Sequence, residues 1–456
     1  MTSVSFGTLG VPSPLVTALA SDGKTTPFPI QIDTLPDTLA GRDVLGRGKT
    51  GSGKTLAFAL PLVARIAAKS PGRRRGARPL GLVLAPTREL ASQISATIEP
   101  LAQVYGLRVL TIFGGVSQTR QVDALREGIE ILVATPGRLE DLLAQGLCKL
   151  DAVDITVLDE ADHMADLGFL PVVTRILNAT PRDGQRLLFS ATLDNGVDKL
   201  VSRFLQNEIL HSVDEANSPV AAMTHHVLEV ADVETKNAVV TELARGTGRR
   251  VLFMRTKHHA KKLARKLTDA GIPAVDLHGN LSQGQRDRNL AAFADGGVNV
   301  LVATDVAARG VHVDDVELVV HVDPPEEHKA YLHRSGRTAR AGAAGDVVTV
   351  ALSSQMSDVK SLLKRADIRV TPQVVDSSSD LVRDLVGDRA AYVKPAPRVA
   401  PQRSNPRPNA SAEAGSNSSR NRNRRRRGPS ASANPRTEGG RANRSQSGRR
   451  GSSSAR

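Results

Sequence analysis

Short runs of β-branched and aliphatic residues alternate with helix-period segments along most of this 456-residue chain, and that alternation restricts the fold more than any other feature. In the first half, LGLVLA (80–85), RVLTIF (108–113), ILVAT (131–135), ITVLD (155–159) and RLLFS (186–190) are almost continuously apolar. In the second, VLFM (251–254), AVDL (274–277), VNVLVAT (298–304), LVVHV (318–322) and DVVTVAL (346–352) repeat the theme. Strands covered on both faces need such runs, whereas a strand with one wet face alternates. Helical stretches lie between them, including Thr55 to Ala68, Arg88 to Gln103 and Lys257 to Ala270. In the last, Ala260, Leu263, Leu267 and Ala270 recur at three- and four-residue steps on one face. The pattern predicts an α/β fold with parallel sheets layered between helices.

The chain is too long for one ordinary core, so two domains are expected. The pattern fades over roughly 206–223, around Asn217, Ser218 and Pro219, which reads as an inter-domain linker. Periodicity weakens again after Ile368. From Lys394 to Arg456 there is one Lys and fifteen Arg against Glu413 and Glu438, so this tail alone accounts for the net charge of +14 and the body is formally neutral. The tail has no aromatic residue and is expected to be disordered, because it cannot bury enough apolar area to offset the entropy of ordering. Arg420 to Arg427 holds six arginines in eight residues, which suits an electrostatic anchor for nucleic acid better than a mere solubilising tail. The cluster Arg73-Arg74-Arg75-Gly76-Ala77-Arg78 reads first as a solvated loop.

A single cysteine, Cys148, excludes an intramolecular disulfide, and no paired Cys/His spacing suggests zinc. The N-terminus lacks a basic region followed by an apolar one, and no run approaches the roughly 20 apolar residues that span a bilayer. A soluble cytoplasmic protein without a structural metal is expected.

Gly48-Lys49-Thr50-Gly51-Ser52-Gly53-Lys54-Thr55 satisfies G-x-x-x-x-G-K-[ST]. The glycines let backbone N–H groups converge on phosphate oxygens, Lys54 adds a point charge, and Thr55 offers a hydroxyl to Mg²⁺ at a helix N-terminus. Val44 and Leu45 precede it and an apolar helix follows, as such a loop requires. Asp159-Glu160-Ala161-Asp162 ends the run ITVLD, where Asp159 can hold Mg²⁺ through water and Glu160 can orient or deprotonate an attacking water.

With Pro29-Ile30-Gln31, Pro86-Thr87-Arg88-Glu89-Leu90, Gly114-Gly115, Thr135-Pro136-Gly137-Arg138 and Ser190-Ala191-Thr192 in the first half, the chain resembles a DEAD-box ATP-dependent RNA helicase of superfamily 2, in the bacterial branch. The second half continues in family order with Val251 to Thr256, Gln283-Gly284-Gln285-Arg286, Ala303-Thr304-Asp305 with Ala308-Arg309-Gly310, and His333 to Arg340. The resemblance implies two RecA-like lobes, 1–208 and 224–372, a linker over 209–223, and a C-terminal extension over 373–456. It implies ATP and Mg²⁺ as ligands, with Gln31 reading the adenine edge, Gly51, Ser52, Gly53, Lys54 and Thr55 on the phosphates, and Asp305 also on the nucleotide. Lys54, Asp159 and Glu160 would act in hydrolysis with Arg337 and Arg340, arginines suited to charge developing on the γ-phosphate. Asp162, Ser190, Thr192 and His333 would couple hydrolysis to lobe closure.

The implied RNA contacts are Arg88, Gly115, Thr135, Gly137 and Arg138 in one lobe and Thr256, Gln283, Arg286, Thr304 and Gly310 in the other. Small, hydroxyl and cationic groups of this kind grip phosphate and ribose rather than base edges, so binding independent of sequence is expected. Departures from the family pattern are Lys24, where an aromatic often packs on adenine and Phe28 is the aromatic nearby, His312 for a common Asp, and Ser335 and Ala339 for a common Ile and Gly. The resemblance leaves ribosome assembly, RNA decay and cold adaptation all open, with a monomer expected. Two other readings stay in view: a DNA translocase of the same superfamily, and an RNA-binding or annealing protein dominated by its tail.

Overall fold

The computed structural model describes residues 4–48, 51–69, 76–193, 196–213, 223–308, 316–339 and 344–395. The first sheet contains β1 (Val44–Arg47), β2 (Gly81–Leu84), β3 (Val109–Ile112), β4 (Ile131–Ala134), β5 (Ile155–Leu158), β6 (Gln185–Ser190) and β7 (Ile209–Ser212). The second contains β8 (Met223–Val230), β9 (Arg249–Phe253), β10 (Ala274–Leu277), β11 (Val300–Ala303), β12 (Val316–His321), β13 (Gly345–Leu352) and β14 (Gln373–Val374). All pairings between these strands are parallel. The orders are β3-β4-β2-β5-β6-β1-β7 and β10-β11-β9-β12-β13-β8-β14, so the second sheet repeats the first strand for strand. The expected α/β class holds.

Each sheet separates two cores. Along β2, Val83 packs into one core while Leu82 and Leu84 pack into the other. Along β9, Leu252 faces one side and Val251 and Phe253 the opposite side. This period-2 division explains why the central strands are apolar at every position. The helix Lys257–Asp269 buries Ala260, Leu263, Ala264 and Leu267, the stripe expected from its spacing.

Three segments depart from the sequence reading. Ile209–Ser212, assigned to the linker, is the edge strand of the first sheet and pairs with β1. Its edge position leaves every second residue exposed, so it lacks the continuous apolar run that marks a central strand. Met223, placed at the end of the linker, begins β8. Residues 373–387, placed in the C-terminal extension, complete the second lobe. Gln373–Val374 pairs with β8, and the helix Asp380–Val386 buries Val382 and Val386 while its Leu385 and Val386 carbonyls accept hydrogen bonds from the buried Arg250 guanidinium.

No helix among the described residues is long and apolar enough to cross a membrane. The Arg73–Arg75 part of the basic cluster, residues 214–222 and the tail from 396 lie outside the described residues.

Candidate nucleotide and RNA site

Because the strands of each sheet run in one direction, the loops after their carboxyl ends gather on one rim. The phosphate loop follows β1. Lys49 and Thr50 lie outside the described residues. Gly51 and Gly53 take φ of +88° and +89°, the left-handed region that favours glycine. A β-carbon on Gly53 would also come within 2.6 Å of Gln31 Nε2 and 3.0 Å of the Phe28 ring. Gln31 is buried; its Nε2 donates to the Gly53 carbonyl at 2.8 Å and its Oε1 accepts from the Phe28 N–H at 2.9 Å. One amide donor and one amide lone pair of Gln31 are therefore committed to the loop and to its own helix cap. Lys54 Nζ donates to the Gly48 carbonyl at 2.6 Å. The Ser52 hydroxyl is buried without a hydrogen-bond partner among the described residues, a donor that an anion in the loop would satisfy. Thr55 is half-buried beside it.

Asp159 follows β5 and is buried. Burial pushes its carboxyl up to about 7; Lys54 opposes the shift, while Glu160 and Asp162 add to it. A cation beside Asp159 would offset that desolvation, so the carboxylate, with the Thr55 hydroxyl, suits Mg²⁺ in chemistry. Among the described residues no group of three or more His, Cys, Asp or Glu could hold a metal. Mg²⁺ held by one or two protein groups plus phosphates and waters needs none.

Glu160 takes φ 51° and ψ 53°, left-handed backbone for a non-glycine residue and a small store of strain at the site. Its Oε2 lies 3.0 Å from His163 Nδ1. Burial works to raise the Glu160 carboxyl, but the hydrogen bond and charge of His163, then Arg337 and Lys54, outweigh it and hold the group at about 2. Arg337 belongs to the second lobe, so an arginine from one sheet acts on the catalytic candidate of the other. Its Nε donates to the His333 carbonyl at 3.3 Å. Arg340, its expected companion, lies outside the described residues.

The coupling candidates form one network. Ser190 Oγ accepts from the Asp162 N–H at 3.2 Å and donates to the Thr192 carbonyl at 2.6 Å. Asp162 Oδ2 in turn accepts from the Thr192 N–H at 3.1 Å. The Ser190 carbonyl accepts the Gly48 N–H at 3.2 Å, which ties β6 to the phosphate loop. In the second lobe Asp305 is clamped by both Nε and Nη2 of Arg334, whose Nη1 donates to the Asp323 carbonyl. Arg334 also lies over the Phe253 ring, 5.2 Å from its centre. Asp305 thus has a fixed cationic partner that the sequence did not reveal.

The expected RNA contacts divide. Gly115 takes φ +79°, and a β-carbon there would come within 2.2 Å of Arg88 Nη1, so the glycine makes room for that guanidinium. Arg88 Nη1 donates to Gln283 Oε1 at 3.2 Å across the lobes. Gln283 and Arg286 are buried, and both donate to Glu89 Oε1, at 3.2 and 2.7 Å. Arg286 further donates to the His278 and Ala307 carbonyls. In this arrangement both residues join lobe to lobe rather than standing open for RNA, and Glu89, passed over in the sequence, is the acid they share. Burial lowers the Arg88 pKa; Glu89 counters, and Arg286 and Arg138 add to the lowering. Arg138 Nη1 is buried without a hydrogen-bond partner among the described residues. The mutual repulsion of Arg88, Arg138 and Arg286 leaves positive charge that a phosphate would balance.

Thr135 caps the helix Pro136–Ala144 by position, and Gly137 is exposed with open space above it. Thr256 Oγ1 accepts from the His259 N–H at 3.2 Å, and Thr304 donates its N–H to the Leu277 carbonyl. Gly310 lies outside the described residues, as does His312.

A phosphate loop backed by a buried carboxylate pair and faced by an arginine from a second sheet of the same topology defines a two-lobed phosphate-loop protein. Residues 28–200 match the DEAD/DEAH box helicase family and residues 235–342 match the helicase conserved C-terminal domain, together more than half of the chain. The chain belongs to the DEAD-box RNA helicase family. It is 36% identical over 402 residues to DEAD-box ATP-dependent RNA helicase 53 of Oryza sativa, covering 86% of this chain and 65% of the relative. It is 39% identical over 366 residues to DEAD-box ATP-dependent RNA helicase 3A, chloroplastic, of Zea mays, covering 79% of this chain and 49% of the relative. The chain thus spans about half to two thirds of the length of these relatives. Among solved structures, that of S. cerevisiae Dbp5 bound to RNA and ADP BeF3 matches with a TM-score of 0.71 at 27% identity, over 84% of this chain and 100% of that one. These organisms are plants and a yeast, so the expected bacterial affiliation gains no support.

Proposed function

We propose that this chain is an RNA-stimulated ATPase that couples ATP binding and hydrolysis to lobe closure and so unwinds or remodels RNA locally, without reading its sequence. The observation that carries the reading is that the two lobes complete one another: Gln283 and Arg286 of the second donate to Glu89 of the first, and Arg337 of the second, with Lys54 of the first, lowers the carboxyl pKa of Glu160. Hydrolysis is then conditional on closure, because neither lobe alone contains the whole constellation.

In this reading Gln31 selects adenine and the loop from Gly51 to Thr55 cradles the phosphates. Thr55 and Asp159 would hold Mg²⁺, which supplies charge neutralisation at the phosphates. Glu160, kept ionised by His163, orients or deprotonates water. Arg337, with Arg340, stabilises charge on the transferring phosphoryl group. Asp162, Ser190 and Thr192 transmit the state of the carboxylates to the phosphate loop, and His333 lies on the segment that carries Arg337. RNA engages Arg88, Gly115, Thr135, Gly137, Arg138, Thr256, Thr304 and Gly310, and Gln283 and Arg286 take part in the closed geometry. The Arg-rich tail serves as an auxiliary anchor that raises the local RNA concentration. A cytoplasmic monomer acting in ribosome assembly or RNA decay belongs to the same proposal.

Comparing the stimulation of ATP turnover by RNA and DNA of equal length tests the reading. Stimulation confined to RNA is expected. Equal stimulation by DNA would favour a DNA translocase, and RNA binding without turnover a tail-dominated annealing protein.

A further inference from the structure

The helix Lys257–Asp269 carries Lys257, Lys261, Lys262, Arg265 and Lys266 with two histidines against one carboxylate, Asp269. Its positions 257, 261 and 265 form one stripe and 258, 262 and 266 the next, because residues four apart stack on a helix. All of these side chains are exposed. Lys257 donates to Asn280, Arg265 lies 3.9 Å from Asp269, and Lys261 and Lys262 have no ion pair among the described residues. Lys266 borders an open groove with Glu234 and Glu242, so the charge without an ion pair among the described residues is that of Lys261 and Lys262, with Arg265 beside them in a long, exposed pair.

The two ends of this helix give the charge a direction. It starts on the site rim, with Thr256 as its cap. It runs about 20 Å to Gly271, at the opposite pole. There a strap over 388–393 crosses the second lobe: the Thr247 N–H donates to the Asp388 carbonyl at 2.9 Å, Ala390 to Arg245 at 2.7 Å, and Val393 to Gly271 at 3.0 Å. The Tyr392 ring covers Gly271 so closely that a β-carbon there would come within 2.1 Å of it. The next residue, Lys394, opens the arginine-rich tail. One cationic helix thus joins the rim where RNA is expected to the point where the basic tail departs.

We propose that the exposed face formed by Lys261, Lys262 and Arg265 is a second RNA-phosphate surface, which carries the part of the RNA leaving the cleft at Thr256 toward the tail. The inference rests on the RNA-stimulated ATPase reading. The face holds no exposed large hydrophobic side chain. It therefore lacks the apolar anchors that dominate protein interfaces and suits an anionic polymer bound through counterion release. The surface is indifferent to base sequence, and it discriminates RNA that extends beyond the cleft from RNA that only fills it.

The test uses the full chain and a variant with Lys261→Gln, Lys262→Gln and Arg265→Gln. The probes are a short oligouridine that occupies the cleft alone and the same strand extended by a duplex arm, titrated by fluorescence anisotropy across a salt series. Affinity for the extended RNA should fall roughly tenfold at low salt, with the slope of log K against log salt shallower by about 2 to 3. Affinity for the short strand, and ATP turnover stimulated by it, should be unchanged. Unaltered affinity for the extended RNA would overturn the proposal, as would an equal loss on both RNAs. A wild-type chain that binds both RNAs without stimulated turnover would overturn the ATPase reading alone and leave the affinity comparison to decide the helix face.

Discussion

Glu89 of the first lobe accepts the Nε–H of Arg286 of the second at 2.7 Å, with both side chains buried. Removing one partner of a buried ion pair leaves the other charge unpaired and costs about 3 to 5 kcal/mol. Here that cost falls on the lobe-to-lobe arrangement, because the two residues belong to different sheets. Glu89→Gln should therefore separate the lobes in the absence of ligands, read as a longer distance between fluorophores placed one on each lobe. An unchanged distance would show that the pair follows the arrangement without holding it.

Glu160→Gln keeps the shape of the side chain and its contact with His163 but removes the base. ATP turnover should fall by at least about 100-fold, while RNA affinity changes little. Ordinary turnover in this variant would sink the assignment of Glu160.

Removing residues 394–456 leaves the strap over 388–393 in place, so the second lobe should stay folded. RNA affinity should weaken and its salt dependence flatten, with basal ATPase nearly unchanged. Full affinity at low salt would refute the anchoring role of the tail.

Ala339 adopts φ 54°, the left-handed region, where the family commonly has glycine. An alanine there carries a steric penalty on the order of 1 kcal/mol that glycine avoids. Ala339→Gly should raise the denaturation midpoint of the second lobe; a lowered midpoint would show that the methyl group, which is buried, contributes more by packing than it costs in strain.

Burial pushes the Cys148 thiol up from about 9 to about 11. The unfolded chain ionises first as pH rises, so this contribution is whole below pH 9 and is lost between pH 9 and 11, a change of about 3 kcal/mol at most. Cys148→Ala should lower stability at neutral pH and flatten its decline over that interval. Equal declines in both proteins would assign the alkaline sensitivity to other groups.

The central strands were legible because burial on two faces leaves an unmistakable apolar run. The edge strands β7 and β14, and β8 with its interrupted burial, were not, since part of each faces water and the pattern there resembles a loop. The phosphate loop and Asp159 stood out by their place after strands, whereas Asp162, Ser190 and Thr192 were singled out only through the family resemblance; the structure joins these three in one hydrogen-bond network. Glu89 and Arg334 were not, because each acquires its role from a distant partner. Glu89 meets Arg286 197 residues further along the chain, and nothing local distinguishes it from a solvated helix residue. For the same reason the bonds that Gln283 and Arg286 make to Glu89 of the other lobe could not be read beside their expected RNA role.

The place of β1 within its sheet bears on how the molecule is made. Val44–Arg47 lies between β6 and β7, so the strand leading into the phosphate loop has no neighbour until the chain has been synthesised as far as Ser190, and lacks the second until Ser212. The nascent N-terminal segment must wait with both edges unpaired, and no local hairpin shelters it. Parallel sheets closed by such distant pairings fold slowly and expose aggregation-prone edges while they wait. The nucleotide pocket is therefore completed late in the growth of its own lobe, and a ribosome stalled before β6 would hold a chain with the loop but without the walls that shape it.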